Sequence, residues 1–141
     1  MAGFLPDEGA TLITNLLFRN TEPDRGTSLQ LALVTNIFLS KITPTASTLT
    51  EPTGTGYARI TLNDIGWGTH TTSVGNAAGV AVYPKQTFTA GAGGWTGGIY
   101  GYAILTTGTS PRIISMESDP QAPVTMNQGD TYSVTPRITV A

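Results

Sequence analysis

The sequence predicts an all-β chain, a jelly-roll-like β-sandwich with one short N-terminal helix. Three observations carry that reading. Everything after Gly26 falls into short alternating segments, roughly eight of them, separated by glycine-, proline- and threonine-rich turns. Only one segment, Asp7 to Arg19, has helical periodicity. The stretch from Tyr83 to Leu105 reads as two β-arms joined by the glycine-rich loop 90–98, which cannot hold a helix. With 141 residues, one domain is the simplest organisation: an N-terminal helix or arm over 1–27 and the sandwich over 28–141.

The helix comes first. Asp7 is placed to cap it, and Glu8 complements its positive end. Ala10, Ile13 and Leu17 recur at near-helical spacing, with Leu12 and Leu16 beside them, and Pro6 precedes the first turn. Thr21 to Gly26 is a loop by composition. The helix either closes one end of the sandwich or serves as an arm that docks on a neighbouring subunit.

The strands follow. Ser28 to Thr35 puts Leu29, Leu31 and Leu33 on one face and Gln30, Ala32 and Val34 on the other. Lys41 to Thr55 is a long connection, the length of a functional loop or a crossover between sheets. Tyr57 to Leu62 alternates, with Ala58, Ile60 and Leu62 predicted inward and Tyr57, Arg59 and Thr61 outward. Ala78 to Tyr83 is the next strand, and Pro84 marks its edge. The arms Tyr83 to Thr89 and Ile99 to Leu105 then form the expected hairpin, with Trp95 in its loop. Arg112 to Ser118 is a strand with Ile113 and Ile114 facing opposite sides. Asn127-Gln128-Gly129-Asp130 is the clearest tight turn. In the terminal strand Tyr132, Val134, Ile138 and Val140 share a face, and Pro136 calls for an edge or a bulge.

Composition narrows the function. Charged residues make up 11% of the chain, against roughly 25% in ordinary soluble domains. Threonine, serine and glycine fill the polar positions, which suits a surface packed against partners and equally a free β-sandwich, a class often rich in threonine. The net charge is −2 and no basic run exists, so no nucleic-acid footprint is expected. Cysteine is absent, which removes disulfides and thiolate metal sites. The N-terminus lacks the basic and apolar regions of a signal peptide, and no apolar run reaches the length of a membrane span. The expectation is a protein made and folded in a cytoplasm, with no membrane partner.

Candidate chemistry is sparse. The single histidine, His70, lies among glycine and threonines, and no G-x-S-x-G elbow accompanies a serine. A zinc site would need three oxygen ligands, an unusual set, so no metal and no cofactor is expected. Glu117 and Asp119 are two apart and share a strand face. They are readable as a glycosidic acid–base pair or, far more simply, as a solvated strand end. A calcium site at Asp119 or Asp130 has no EF-hand spacing behind it. The glycine loop lacks the Gly-Lys-Ser/Thr ending of a P-loop, and no helix follows it. Trp67, Trp95, Tyr100 and Tyr102 are candidate platform aromatics for protein or sugar, the alternative being that the two tyrosines pack within the sheet. A glycine loop offers Trp95 little core to hide in, so Trp95 is expected at a subunit contact.

Several short motifs carry a resemblance. Leu31 to Asn36, Thr43-Pro44, Gly56-Tyr57-Ala58, Tyr83 to Thr89, Ile99 to Tyr102 and Gly129-Asp130 before Val134 to Ile138 together resemble small virion structural proteins of tailed bacteriophages. They are similar to the accessory capsid proteins called cement or decoration proteins. The resemblance covers most of the chain after Leu29. It implies a jelly roll that binds the outside of an assembled head, often as a homotrimer, and bridges subunits of the major capsid protein. The implied location is the virion, assembled in the host cytoplasm, and the implied role is not enzymatic. The expected contact residues are Phe4, Leu5, Trp67, Trp95 and Tyr100. Flat contact faces and no deep polar cleft are expected with it. The rival reading is a tail or fibre domain that binds host glycans through Trp67 or Trp95.

Overall fold

In a computed structural model of the chain, the residues described are 5–17, 28–36, 44–68, 71–72 and 79–140. They form a mostly β structure with one short α-helix, α1 (Asp7–Leu17). The strands are β1 (Leu29–Val34), β2 (Ile60–Leu62), β3 (Thr71–Thr72), β4 (Gly79–Val82) and β5 (Gln86–Thr89). They continue with β6 (Gly101–Thr106), β7 (Ile113–Ser118), β8 (Thr131–Val134) and β9 (Arg137–Val140). A 3-10 turn, Asp64–Gly66, follows β2.

All pairings are antiparallel, in three sheets ordered β2-β1-β6-β7, β3-β4-β9 and β5-β8. The four-stranded sheet is apolar on both faces, because in β1 the leucines fill one face and Ala32 and Val34 fill the other. Leu31 and Leu33 lie opposite Ile104 and Tyr102 and face the main core, with Ile114, Phe88, Trp95 and Val134. Ala32, Val34, Ala103, Leu105, Ile113 and Met116 face the other way, under Ala46 and Leu49. Part of the long connection before β2 thus covers the second face of the sheet. Ile113 and Ile114 do face opposite sides, by ordinary strand alternation, and the bulge that leaves Ile114 unpaired opposite Ile104 and Leu105 lets Ile113 and Met116 share a face.

Helix α1 docks on β7 of its own chain. Leu12 enters the main core. The Glu8 carboxylate accepts the backbone N–H of Ile113 at 2.9 Å and that of Ala46 at 3.3 Å. Glu8 therefore does more than complement the helix dipole, since it ties helix, sheet and covering loop together. The last two residues of the predicted helix, and His70, lie outside the described residues.

Two expectations need correction. The arms around the glycine loop do not form a hairpin. β5 pairs with β8, and β6 pairs with β1 and β7. The loop crosses between sheets because other segments take up its hydrogen-bonding groups. Gly91 N donates to Thr55 O, Trp95 N to Met126 O and Thr96 N to Thr53 O. Gly94 is required there: its φ is +69°, and a Cβ would lie 2.6 Å from Met126 O. Second, Tyr57 points into the core and Ala58 is exposed, the reverse of the alternation read from sequence. Regular strand begins only at Ile60, so the period-2 pattern does not reach back to residue 57.

Pro136 explains the chain's end. The single terminal strand expected from sequence is two strands, β8 and β9, in different sheets. Pro136 has no N–H for a ladder, is fully buried, and accepts Tyr83 N–H at 2.8 Å through its carbonyl. The Asn127–Asp130 turn is present, with Asp130 N donating to Asn127 O at 3.0 Å.

Candidate functional site

Of the five expected contact residues, Phe4 lies outside the described residues. Leu5 is half-buried beside Gly9 under the helix. Trp67 is half-buried and packs edge-on against Tyr83, with ring centroids 5.2 Å apart. Tyr100 is half-buried, and its backbone joins Val34 O and Asp119 N.

Trp95 is a correction. It is only 6% exposed and belongs to the main core. Its indole meets Tyr57 edge-on at 5.4 Å, and Nε1–H donates to Thr55 O at 2.9 Å. The expectation failed because the glycine loop folds back over residues 53–56 and 126–130 and carries the indole inward. A stacking platform for sugar or a subunit contact at Trp95 would need that packing undone.

What the fold does assemble is a polar cleft of about 420 Å³, open to solvent. It lies where the β6–β7 end of the large sheet meets the β8–β9 switch. Its polar side chains include Tyr102, Glu117, Asp119, Tyr132, Thr135 and Arg137. Arg137 grips Glu117 in a fork, Nε to Oε2 at 2.9 Å and an Nη2 bond to Oε1 at 2.7 Å. The Tyr102 hydroxyl donates to Glu117 Oε2 at 3.0 Å. Asp119 accepts the Tyr132 hydroxyl at 2.6 Å and Gln121 N–H at 2.8 Å. Gly101 opens the wall, since any Cβ there would collide with the Glu117 carbonyl.

The electrostatics make donors of these phenols. Burial first, then the Glu117 charge, pushes Tyr102 well above its ordinary ionisation range. Burial and then the hydrogen bond to Asp119 do the same to Tyr132. Both stay protonated at neutral pH. The Glu117 hydrogen bond raises Arg137 further, which fixes its charge.

Sequence reading found Glu117 and Asp119 and named Tyr102 only as a platform aromatic, and it gave neither Tyr132 nor Arg137 a place beside them. The only available signal was the run Tyr132 to Arg137 with Pro136 inside it, and it points to a bend without saying what the bend faces. The head-binding reading came with the expectation of no deep polar cleft; this cleft is open to solvent, and apolar as well as polar groups line it.

A second network is structural. The Tyr57 hydroxyl accepts Leu33 N–H at 3.1 Å, beyond the point where β2 stops pairing with β1, and donates to Glu51 Oε2 at 2.6 Å. Arg59 forks onto the same carboxylate. Burial and Glu51 raise the Tyr57 phenol strongly. Among the described residues, no group of three or more His, Asp or Glu side chains is placed to hold a metal ion. No helix among them is long and apolar enough to cross a membrane.

Comparison with protein-family models, with curated proteins and with solved structures returns no match.

Proposed function

We propose that this chain is a virion structural protein of a tailed phage, one that binds the outside of the head and stabilises the shell of major capsid protein. The finer architecture belongs to the same proposal: a jelly-roll-like sandwich whose chain switches sheets at Pro136.

One observation carries the reading beyond the resemblance in sequence. The β5–β8 ribbon turns a neutral hydroxyl face to solvent. Thr87 lies opposite Ser133 and Thr89 opposite Thr131, and all four are exposed. Neither strand contains a charged residue. Such a face can hydrogen-bond across an extensive contact without burying an unpaired charge. Beyond the ribbon, Ile65 is 96% exposed at the tip of the 3-10 turn, an apolar anchor for a pocket on the shell. Binding only the assembled shell stabilises that state by mass action. A homotrimer would let three modest contacts act together.

The test is thermal. Heads loaded to full occupancy should rupture at a higher temperature than bare heads. Equal rupture temperatures refute the cementing role. Light scattering of the free protein checks the trimer separately.

A further inference from the structure

We propose that the cleft between the β6–β7 end and the β8–β9 switch is a binding site for a neutral, hydroxyl-rich ligand, that is, a short saccharide. The inference stands apart from the head-binding reading, because nothing in it depends on what the β5–β8 face touches.

The size fits. About 420 Å³ lies within the roughly 300–1,000 Å³ usual for small-ligand sites. The chemistry then narrows the class. A carboxylate offers about four acceptor positions. Glu117 uses three, for Tyr102 and the two Arg137 bonds. Asp119 uses two, for Tyr132 and Gln121. Acceptor capacity therefore remains on both, at fixed positions, because their own partners hold them still. Donors stand beside them, because Ser118 and Thr135, both hydroxyl residues, also line the cleft. Val82, 42% exposed, and Pro120 supply apolar patches in the same walls. Alternating acceptors, donors and small apolar patches match the edge and face of a sugar ring.

Other ligand classes fit less well. An anion would meet two carboxylates, and Arg137, the only cation among the described residues that line the cleft, is already forked onto Glu117. A divalent cation would have to displace Arg137 and the Tyr132 hydroxyl from the carboxylates it needs. A wholly apolar ligand would leave the Glu117 and Asp119 carboxylates in the same wall without solvent and without a new partner. A sugar hydroxyl can donate to a carboxylate and accept from a neighbouring hydroxyl at once, leaving the existing bonds in place. The tyrosines have a positioning role: each donates to one carboxylate and fixes it.

The test uses the full chain and four free neutral trisaccharides: maltotriose, cellotriose, mannotriose and triacetylchitotriose. Sialyllactose and spermidine serve as charged controls. The readout is saturation-transfer NMR with amide shift mapping. At least one neutral sugar should receive saturation and move the amides of Ser118, Asp119 and Thr135. Thr135→Val, at an exposed position, should keep the fold. It should weaken that sugar about twofold to tenfold, the loss of one hydrogen bond. Silence from all four neutral sugars overturns the inference. So does binding confined to a charged control, or a shift map centred on Trp67. Failure here leaves the head-rupture result untouched, and a null rupture result leaves this one untouched.

Discussion

Replacing Trp95 with alanine separates a core role from a contact role. The indole is 6% exposed, stacks edge-on against Tyr57 and donates to Thr55 O. Removing a buried Trp side chain costs about 3–5 kcal/mol, because the cavity closes only partly. Thr55 is exposed, so water can replace the lost donor and the hydrogen bond adds little. With a urea slope of about 2 kcal/mol per M, the unfolding midpoint should fall by roughly 1.5–2.5 M at unchanged slope. Domains of this kind hold only about 5–15 kcal/mol in total, so the alanine variant is near the limit of folding. Trp95→Phe keeps a ring against Tyr57 and should lose a smaller part of the same midpoint. Urea unfolding followed by circular dichroism at two protein concentrations gives the answer. A midpoint within about 0.5 M of the parent for Trp95→Ala, with weakened self-association, would refute the core assignment and restore Trp95 to an interface.

The other predictions concern anchoring and ionisation. Glu8→Ala strands the buried N–H of Ile113. It should cost about 1–3 kcal/mol, read as a lower thermal midpoint, and an unchanged midpoint would show that the helix is not tied to the sheet through Glu8. Tyr57, Tyr102 and Tyr132 ionise far above the ordinary value of 10.0 in the folded chain. Their contribution to stability is complete below about pH 10, where tyrosines of the unfolded chain begin to ionise, and is lost as pH rises from there toward the folded values. Urea midpoints at pH 8, 10 and 11 should therefore be flat and then fall, and a flat series throughout contradicts the burial of these hydroxyls. Ile65→Asp should leave the unfolding midpoint within about 0.5 kcal/mol of the parent, since the side chain is free of the fold. If Ile65 seats in a shell pocket, head binding in a pelleting assay should fall roughly tenfold to a hundredfold, the worth of one buried Ile. Undiminished pelleting removes Ile65 as the anchor.

Local pattern made some of this legible. The leucine alternation in β1, the opposed Ile113 and Ile114, the helix start and the Asn127–Asp130 turn all depend on neighbours within a few residues. Pro136 was legible as a disruption, because a missing N–H is a property of one residue. Its consequence was not, since a strand can end, bulge or change sheets at a proline and only long-range pairing decides. The hairpin reading of 83–105 failed for the same reason. Glycines permit a reversal, but the acceptors at Thr53, Thr55 and Met126 determine where the loop goes. Those residues lie some thirty to forty positions away, and no local period reports them.

The scarcity of charge has a physical reading that composition alone conceals. Seven acidic residues fall among the described ones, and five of them accept internal donors: Glu8, Glu51, Glu117, Asp119 and Asp130. Arg59 and Arg137 are each forked onto one of these carboxylates. Ion pairs open to solvent on one side, as these half-buried ones are, add little to stability individually. Their placement matters more. Glu51 with Arg59 and Tyr57 substitutes for a missing strand beside Leu33. Glu117 with Arg137 and Tyr102 crosses from the large sheet to β9, the strand that Pro136 redirects. These two charged clusters are thus placed where backbone pairing changes partners, and the β5–β8 face is left to neutral hydroxyls. Neutralising the Glu117–Arg137 pair should therefore disturb the β8–β9 switch before it disturbs the β5–β8 ribbon. Hydrogen exchange at Ile138 against Phe88 measures that order directly, and earlier loss of protection at Phe88 would contradict it.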